Sequence, residues 1–166
     1  MLLMQALVFR DLQGARTKID AGVVAVLRGY AQHSPRSIEA GGVLIGRLLR
    51  DTNDVVIDLA SEPMPDDVRS RCSFSRSCAA HQNLIDGAWR ESRGTLGYLG
   101  EWHTHPEPVP MPSNVDRNDW ARRLRRDRYE GERLFFLIVG TQSMRMWVGT
   151  RCRGRIVQLT EEPASV

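Results

Sequence analysis

The sequence predicts an α/β domain whose mixed, mostly antiparallel sheet is flanked by helices. Short runs of apolar, β-branched and aromatic residues recur along the chain, as strands require. Amphipathic stretches of helical period interrupt them. Several neighbouring strands have no crossover helix between them, so they pair antiparallel. The 166 residues fit one domain, 1–166, of ordinary size. Hydrophobic residues at 42% and charged residues at 26% are close to the globular average, which excludes a disordered or fibrous chain.

Residues 3–9 (LMQALVF) read as a first strand, not a signal peptide, since no basic region precedes them and no small-residue cleavage site follows. Thr17-Lys18-Ile19-Asp20 has the spacing of a capping box and predicts a helix to about Gln32. Ile19, Val23, Val26, Leu27 and Tyr30 would form its apolar face. AGGVLIGRLL and DVVIDLAS follow as a hairpin around the polar turn from Arg50 to Asn53. SEPMPDDVRSRCSFSRS reads as an irregular connection with a short strand near Cys72 to Arg76. A helix from about Ala79 to Ser92 ends near Gly94, and TLGYLGEWHTH forms the next strand. A proline-rich loop leads to a helix from Ser113 to about Asp127, and RLFFLIVG, MRMWVG and GRIVQLT close the chain as strands.

A formal charge of +3, with 20 acids offsetting 23 bases, disfavours a nucleic-acid binder. All the bases except Lys18 are arginine, which reads as coding bias, and the arginine-rich ARRLRRDR (121–128) reads as a solvated helix face. No apolar run approaches the ~20 residues that span a bilayer, so a soluble protein without a membrane partner is expected. Cys72, Cys78 and Cys152 are odd in number and form no Cys-x-x-Cys pair, which points to free thiols in a cytoplasmic protein.

Chemistry concentrates in EWHTHPEPVPMPSNVD (101–116), which holds two of the chain's four histidines. On an extended strand His103 and His105 point to one face, as a pair of zinc ligands would. Trp102 alternates away toward the core, while Glu101 shares the histidines' face as a potential outer partner. Ser113 and Asp116 have capping-box spacing, and at a helix start they can face the histidines across the loop. Pro106, Pro108, Pro110 and Pro112 stiffen that loop. Asp116 would complete three ligands and leave a fourth position open for water. A base outside the ligand set is then needed, and Glu39 is the candidate, beside Gly41 and Gly42, which permit close backbone approach. Glu107 reads as a solvated loop residue, His81 as structural, and His33 as a helix C-terminal residue.

Glu39 with the following Gly-Gly-Val-Leu-Ile-Gly, then His103-Thr104-His105-Pro106, Ser113 and Asp116, resembles the signature of the JAMM (JAB/MPN) zinc metalloproteases over residues 36–120. The resemblance implies a JAB/MPN-like fold, zinc on His103, His105 and Asp116, Glu39 as general base and later proton donor, and Ser113 as hydrogen-bond donor to the tetrahedral intermediate. The run from Ser61 to Asp116 is similar to stand-alone bacterial JAMM proteins of ubiquitin-like conjugation operons, including those of CBASS-type antiphage defence. That similarity implies a zinc-dependent (iso)peptidase acting at the C-terminus of a cGAS-like nucleotidyltransferase conjugated by an E1–E2 type enzyme. It also implies that the segment around residues 61–77 walls a groove in which an extended C-terminal tail adds as a strand.

Other readings remain at this stage. The protein could trim a ubiquitin-like or sulfur-carrier protein, or be a non-catalytic MPN binding module that uses zinc for stability. Thr104 between the histidines departs from the Asn usual in RadC-like proteins. A zinc nucleotide deaminase is excluded, because its Pro-Cys-x-x-Cys motif is absent.

Overall fold

A computed structural model of the chain describes residues 5–163. Strands β1 (Leu7–Arg10) and β2 (Arg16–Ile19) precede helix α1 (Ala21–Gly29), then β3 (Gly41–Leu48) and β4 (Val55–Ala60). A small hairpin, β5 (Val68–Ser70) and β6 (Ser73–Ser75), leads into α2 (Cys78–Glu91) and β7 (Gly97–Thr104). Helix α3 (Asn114–Arg126) is followed by β8 (Arg133–Val139), β9 (Met144–Thr150), β10 (Arg155–Gln158) and β11 (Thr160–Glu161). Nine strands form one sheet in the order β10-β9-β8-β7-β3-β4-β2-β1-β11, and β5 and β6 pair separately. Among the described residues only β2 with β4 and β7 with β8 run parallel, so the expected mixed, mostly antiparallel sheet is present.

The two outermost strands of that order are neighbours in sequence, separated by Leu159 alone. Leu159 N–H donates to Met146 O at 2.8 Å, and Glu162 N–H donates to Val8 O at 2.8 Å. One continuous segment thus pairs with β9 at its start and β1 at its end, and the sheet curls back on itself. Its concave face holds one apolar cluster, with Phe9, Leu44, Trp102, Leu137 and Met146 packed around Val23, Val24 and Leu27 of α1. Val43, Tyr98, Phe136 and Trp147 on the other face are covered by Ala88 of α2 and by Trp120 and Leu124 of α3.

The predicted helix start at Thr17 is corrected. Residues 16–19 are a strand wedged between β1 and β4, with Thr17 opposite Val55 and Ile19 opposite Ile57. Two β-branched residues at alternate positions suit that slot, with Thr17 and Ile19 buried and Arg16 and Lys18 exposed. Asp20 is the helix cap, its Oδ1 accepting from Gly22 N–H at 2.9 Å. The helix ends at Gly29, so Gln32 and His33 lie in the loop beyond it, and Val24 takes the buried place expected of Val26. The predicted irregular connection contains the β5–β6 hairpin, one strand more than expected. Residues 3 and 4 of the predicted first strand lie outside the described residues.

A β-bulge decides which way the end of β7 faces. Leu44 pairs with Gly100 but Ile45 pairs with Tyr98, leaving Leu99 as the extra residue. Tyr98 belongs to the outer cluster, while Leu99 and Trp102 both belong to the inner one. The bulge therefore reverses the alternation, which turns Glu101 and His103 outward. Gly100 has φ of +145°, and a Cβ on it would stand 1.8 Å from Phe135 O.

His81 is structural, as expected. Its Nδ1 lies 2.7 Å from Ser61 Oγ and its Nε2 3.0 Å from Asp67 Oδ2, with the His81 and Asp67 side chains wholly buried. This Ser–His–Asp relay has no access for a substrate; Ser61 Oγ accepts from Val43 N–H, and Asp67 accepts from the Met64 and Ser77 backbones. Burial raises the Asp67 pKa, but those backbone donors and His81 outweigh it and leave it lowered. A depressed carboxylate stabilises the fold above its unfolded pKa of about 3.9 and loses that contribution as pH falls through the folded value. Asp67→Asn is expected to cost about 3 kcal/mol at neutral pH and to flatten the acid limb of stability below about pH 4, read by denaturant titration across pH.

Candidate active site

The outward-facing end of β7 supplies the first two groups. His103 is the penultimate residue of the strand; His105 follows it and continues the pairing with β8 by donating its N–H to Val139 O at 2.9 Å. Their Nε2 atoms lie 3.1 Å apart. The His103 ring rests 6.4 Å from that of Trp120, which is itself stacked on Phe136 at 4.7 Å. An aromatic wall thus fixes the imidazole.

The proline loop delivers α3 to the histidines. Ser113 caps the helix with Asp116 as its reciprocal partner, so the predicted capping box is present. Ser113 N–H and Oγ–H both donate to Asp116 Oδ2, at 2.6 and 2.7 Å, and Asp116 N–H returns a bond to Ser113 Oγ at 3.1 Å. Asp116 Oδ1 lies 3.3 Å from His103 Nε2, and Oδ2 lies 3.4 Å from His105 Nε2. Donors about 2.0–2.1 Å from a tetrahedral metal ion stand about 3.3 Å from one another. The 3.1 Å between the two imidazole nitrogens, and the 3.3 and 3.4 Å from each of them to one oxygen of the Asp116 carboxylate, are pairwise separations of that size.

Glu39 arrives from the α1–β3 loop, and its carboxylate lies with the His103 and His105 nitrogens in a group whose atoms are all within 4.8 Å of one another. It makes no hydrogen bond to either ring. Gly42, three residues on, lets β3 approach closely, since a Cβ there would stand 2.3 Å from Ser61 O. Glu39 is only 6% exposed. Burial raises its pKa, with the two histidines opposing the shift. Burial also raises the pKa of Asp116, but hydrogen bonds from His103, His105 and Ser113 bring it well below the usual carboxylate range. For His105 burial lowers the pKa, yet Asp116 more than offsets it and the net shift is upward.

Glu101 shares the histidines' face, as expected, but its partners are Arg76 at 3.3 Å and Arg123 at 3.6 Å, not an imidazole. Arg123 lies two helical turns after Asp116 on α3, so this pair braces the helix that carries Asp116. Glu107 is exposed and accepts from Met111 N–H at 3.2 Å within the loop. His33 is exposed and lies four residues beyond Gly29, where α1 ends, and so outside the last turn in which it was expected. Sequence reasoning missed Gln32, which is buried and bonded to Thr104 at 2.8 Å; nothing in its local pattern distinguishes it from a surface glutamine.

The family described as prokaryotic homologs of the JAB domain matches residues 20–150. The chain belongs to this family, a class of isopeptidases and metalloproteases, and is an enzyme of that class. It is 41% identical over 147 residues to a Vibrio cholerae protein named CD-NTase/cGAS isopeptidase, covering 89% of each chain. An Escherichia coli protein of the same name is 36% identical over 162 residues, covering 98% of this chain and 99% of the other. A Sinorhizobium fredii protein named a probable metalloprotease is 36% identical over 81 residues, about half of each chain (48% and 49%). In fold the chain resembles a solution structure from Desulfitobacterium hafniense, with TM-score 0.55 and 19% identity over 88% of each chain.

Proposed function

We propose that residues 1–166 form a single zinc-dependent isopeptidase domain that acts in the cytoplasm on a CD-NTase, a cGAS-like nucleotidyltransferase. The bond hydrolysed joins the C-terminal carbonyl of the CD-NTase to an amine of its conjugation target, which an E1–E2 type enzyme would have attached in antiphage defence. The observation that carries the reading is the convergence of His103, His105 and Asp116 to within 3.1–3.4 Å, with the buried Glu39 beside the two histidines. The names of the Vibrio and Escherichia relatives, matched along most of the chain, support the substrate.

His103, His105 and Asp116 would hold the metal. Zinc there would supply a Lewis acid that polarises the scissile carbonyl and acidifies water. Glu39 accepts the proton of the attacking water, whose oxygen adds to the carbonyl carbon. As the C–N bond breaks, Glu39 returns that proton to the leaving amine, so the products are a free carboxylate and a free amine. Its raised pKa suits a group that must both accept and release a proton. Ser113 donates to the developing oxyanion once its hydroxyl hydrogen turns from Asp116 Oδ2, an oxygen that its backbone N–H continues to satisfy.

The main sheet is closed by its own C-terminal segment, which leaves the β5–β6 hairpin as the element on which an extended tail can add as a strand. Glu39 N–H donates to Ser70 O of that hairpin at 2.7 Å, which sets the hairpin beside the reaction. Cleavage of a CD-NTase fused through its C-terminus to a lysine-bearing reporter is expected with the zinc-loaded protein. It should stop on chelation, return with added zinc, and be lost together with zinc in His103→Ala. Cleavage that persists in metal-depleted protein would overturn the zinc mechanism.

A further inference from the structure

We propose that Thr104 and Gln32 are positioning residues that set the Glu39 carboxylate against the metal ligands. This rests on the isopeptidase reading. Thr104 stands between the two histidines, and its side chain faces the opposite way, into the interior, with 0% exposure. Its Oγ–H donates to Gln32 Oε1 at 2.8 Å, which leaves the oxygen free to accept from Ala40 N–H at 3.0 Å. Thr104 N–H also donates to Ala40 O at 2.9 Å. The residue after Glu39 is therefore held at both its backbone polar groups by the residue between His103 and His105.

Gln32 fixes the other end. It is 4% exposed, and its Nε2 donates to Arg71 O at 2.9 Å and to Ser37 O at 3.4 Å. Glu39 is held by that same hairpin, through its N–H on Ser70 O and through Arg69 Nε, which donates to Glu39 O at 2.8 Å. Ligand strand, base segment and hairpin thus share one buried hydrogen-bond chain. No member of it touches the reacting atoms. A buried threonine is held here for its hydroxyl, because valine fills the same volume but leaves both Gln32 Oε1 and Ala40 N–H unpartnered.

The test compares Thr104→Val and Thr104→Ser with wild type on the same isopeptide reporter. A displacement of the base by about 1 Å can cost about a hundredfold. Thr104→Val is expected to lower kcat by about tenfold to a hundredfold with KM and zinc content unchanged, while Thr104→Ser recovers most of the rate. Exchange of the Ala40 amide, followed by NMR, should quicken in Thr104→Val and not in Thr104→Ser. Should Thr104→Val not fold, Gln32→Met carries the same test, since it keeps the bond from Thr104 to Ala40 but frees the hairpin end. An unchanged kcat in the valine variant, or a serine variant as slow as valine, would overturn the proposal. No cleavage by zinc-loaded wild type would overturn the isopeptidase reading itself, a result distinct from equal activity of both proteins.

Discussion

Glu39→Gln is expected to lower kcat by about a hundredfold to ten-thousandfold while zinc content and melting temperature stay close to wild type. The amide has nearly the shape of the carboxylate but cannot accept the proton of the attacking water. The side chain makes no hydrogen bond to His103 or His105, so its replacement leaves the mutual spacing of His103, His105 and Asp116 intact. Asp116→Asn should behave differently, because Asp116 contacts both imidazoles and both donors of Ser113. That variant is expected to lose zinc as well as rate. Metal analysis beside single-turnover kinetics separates the two, and a Glu39→Gln protein with full kcat would remove Glu39 from the role of base.

Gly100→Ala is expected to destabilise the fold by about 3–5 kcal/mol, the combined effect of an unfavourable backbone conformation and overpacking. Its φ of +145° is one that side chains rarely adopt, and a Cβ would collide with the Phe135 backbone, where β7 and β8 run parallel. The strand can relieve the clash only by moving away from β8 or by losing the bulge. Losing the bulge would turn Glu101, His103 and His105 toward the interior and bring Trp102 out. The variant should therefore lose zinc in whatever fraction still folds. Calorimetry and zinc titration check both effects, and a wild-type melting temperature would show that the bulge tolerates a side chain.

The site was legible in the sequence where its geometry is local. His103 and His105 are two apart on a strand, and Ser113 and Asp116 are three apart at a helix start, so short-range rules bring each pair together. Glu39 lies over sixty residues upstream; the neighbouring Gly41 and Gly42 and the family resemblance, not periodicity, connected it to them. Thr17 to Asp20 misled because Thr-x-x-Asp has the spacing of a capping box, while the alternation of Thr17 and Ile19 suits a strand equally. The parallel partner β4, which settles the matter, comes nearly forty residues later. The bulge at Gly100 was hidden for the same reason: glycine in a strand signals an irregularity, but only the register against β3 shows which residue is extra. Gln32 and Thr104 join through a bond between residues 72 apart.

The segment from Arg155 to Glu161 belongs to both margins of the sheet, and this makes it the clasp of the whole molecule. Releasing it would uncover β9 and β1 together, giving two open rows of backbone donors and acceptors from one local event. Such margins are templates for pairing with other chains. Fraying at this end would therefore lead toward association between molecules more readily than toward a loosened monomer, and the clasp guards solubility as much as shape.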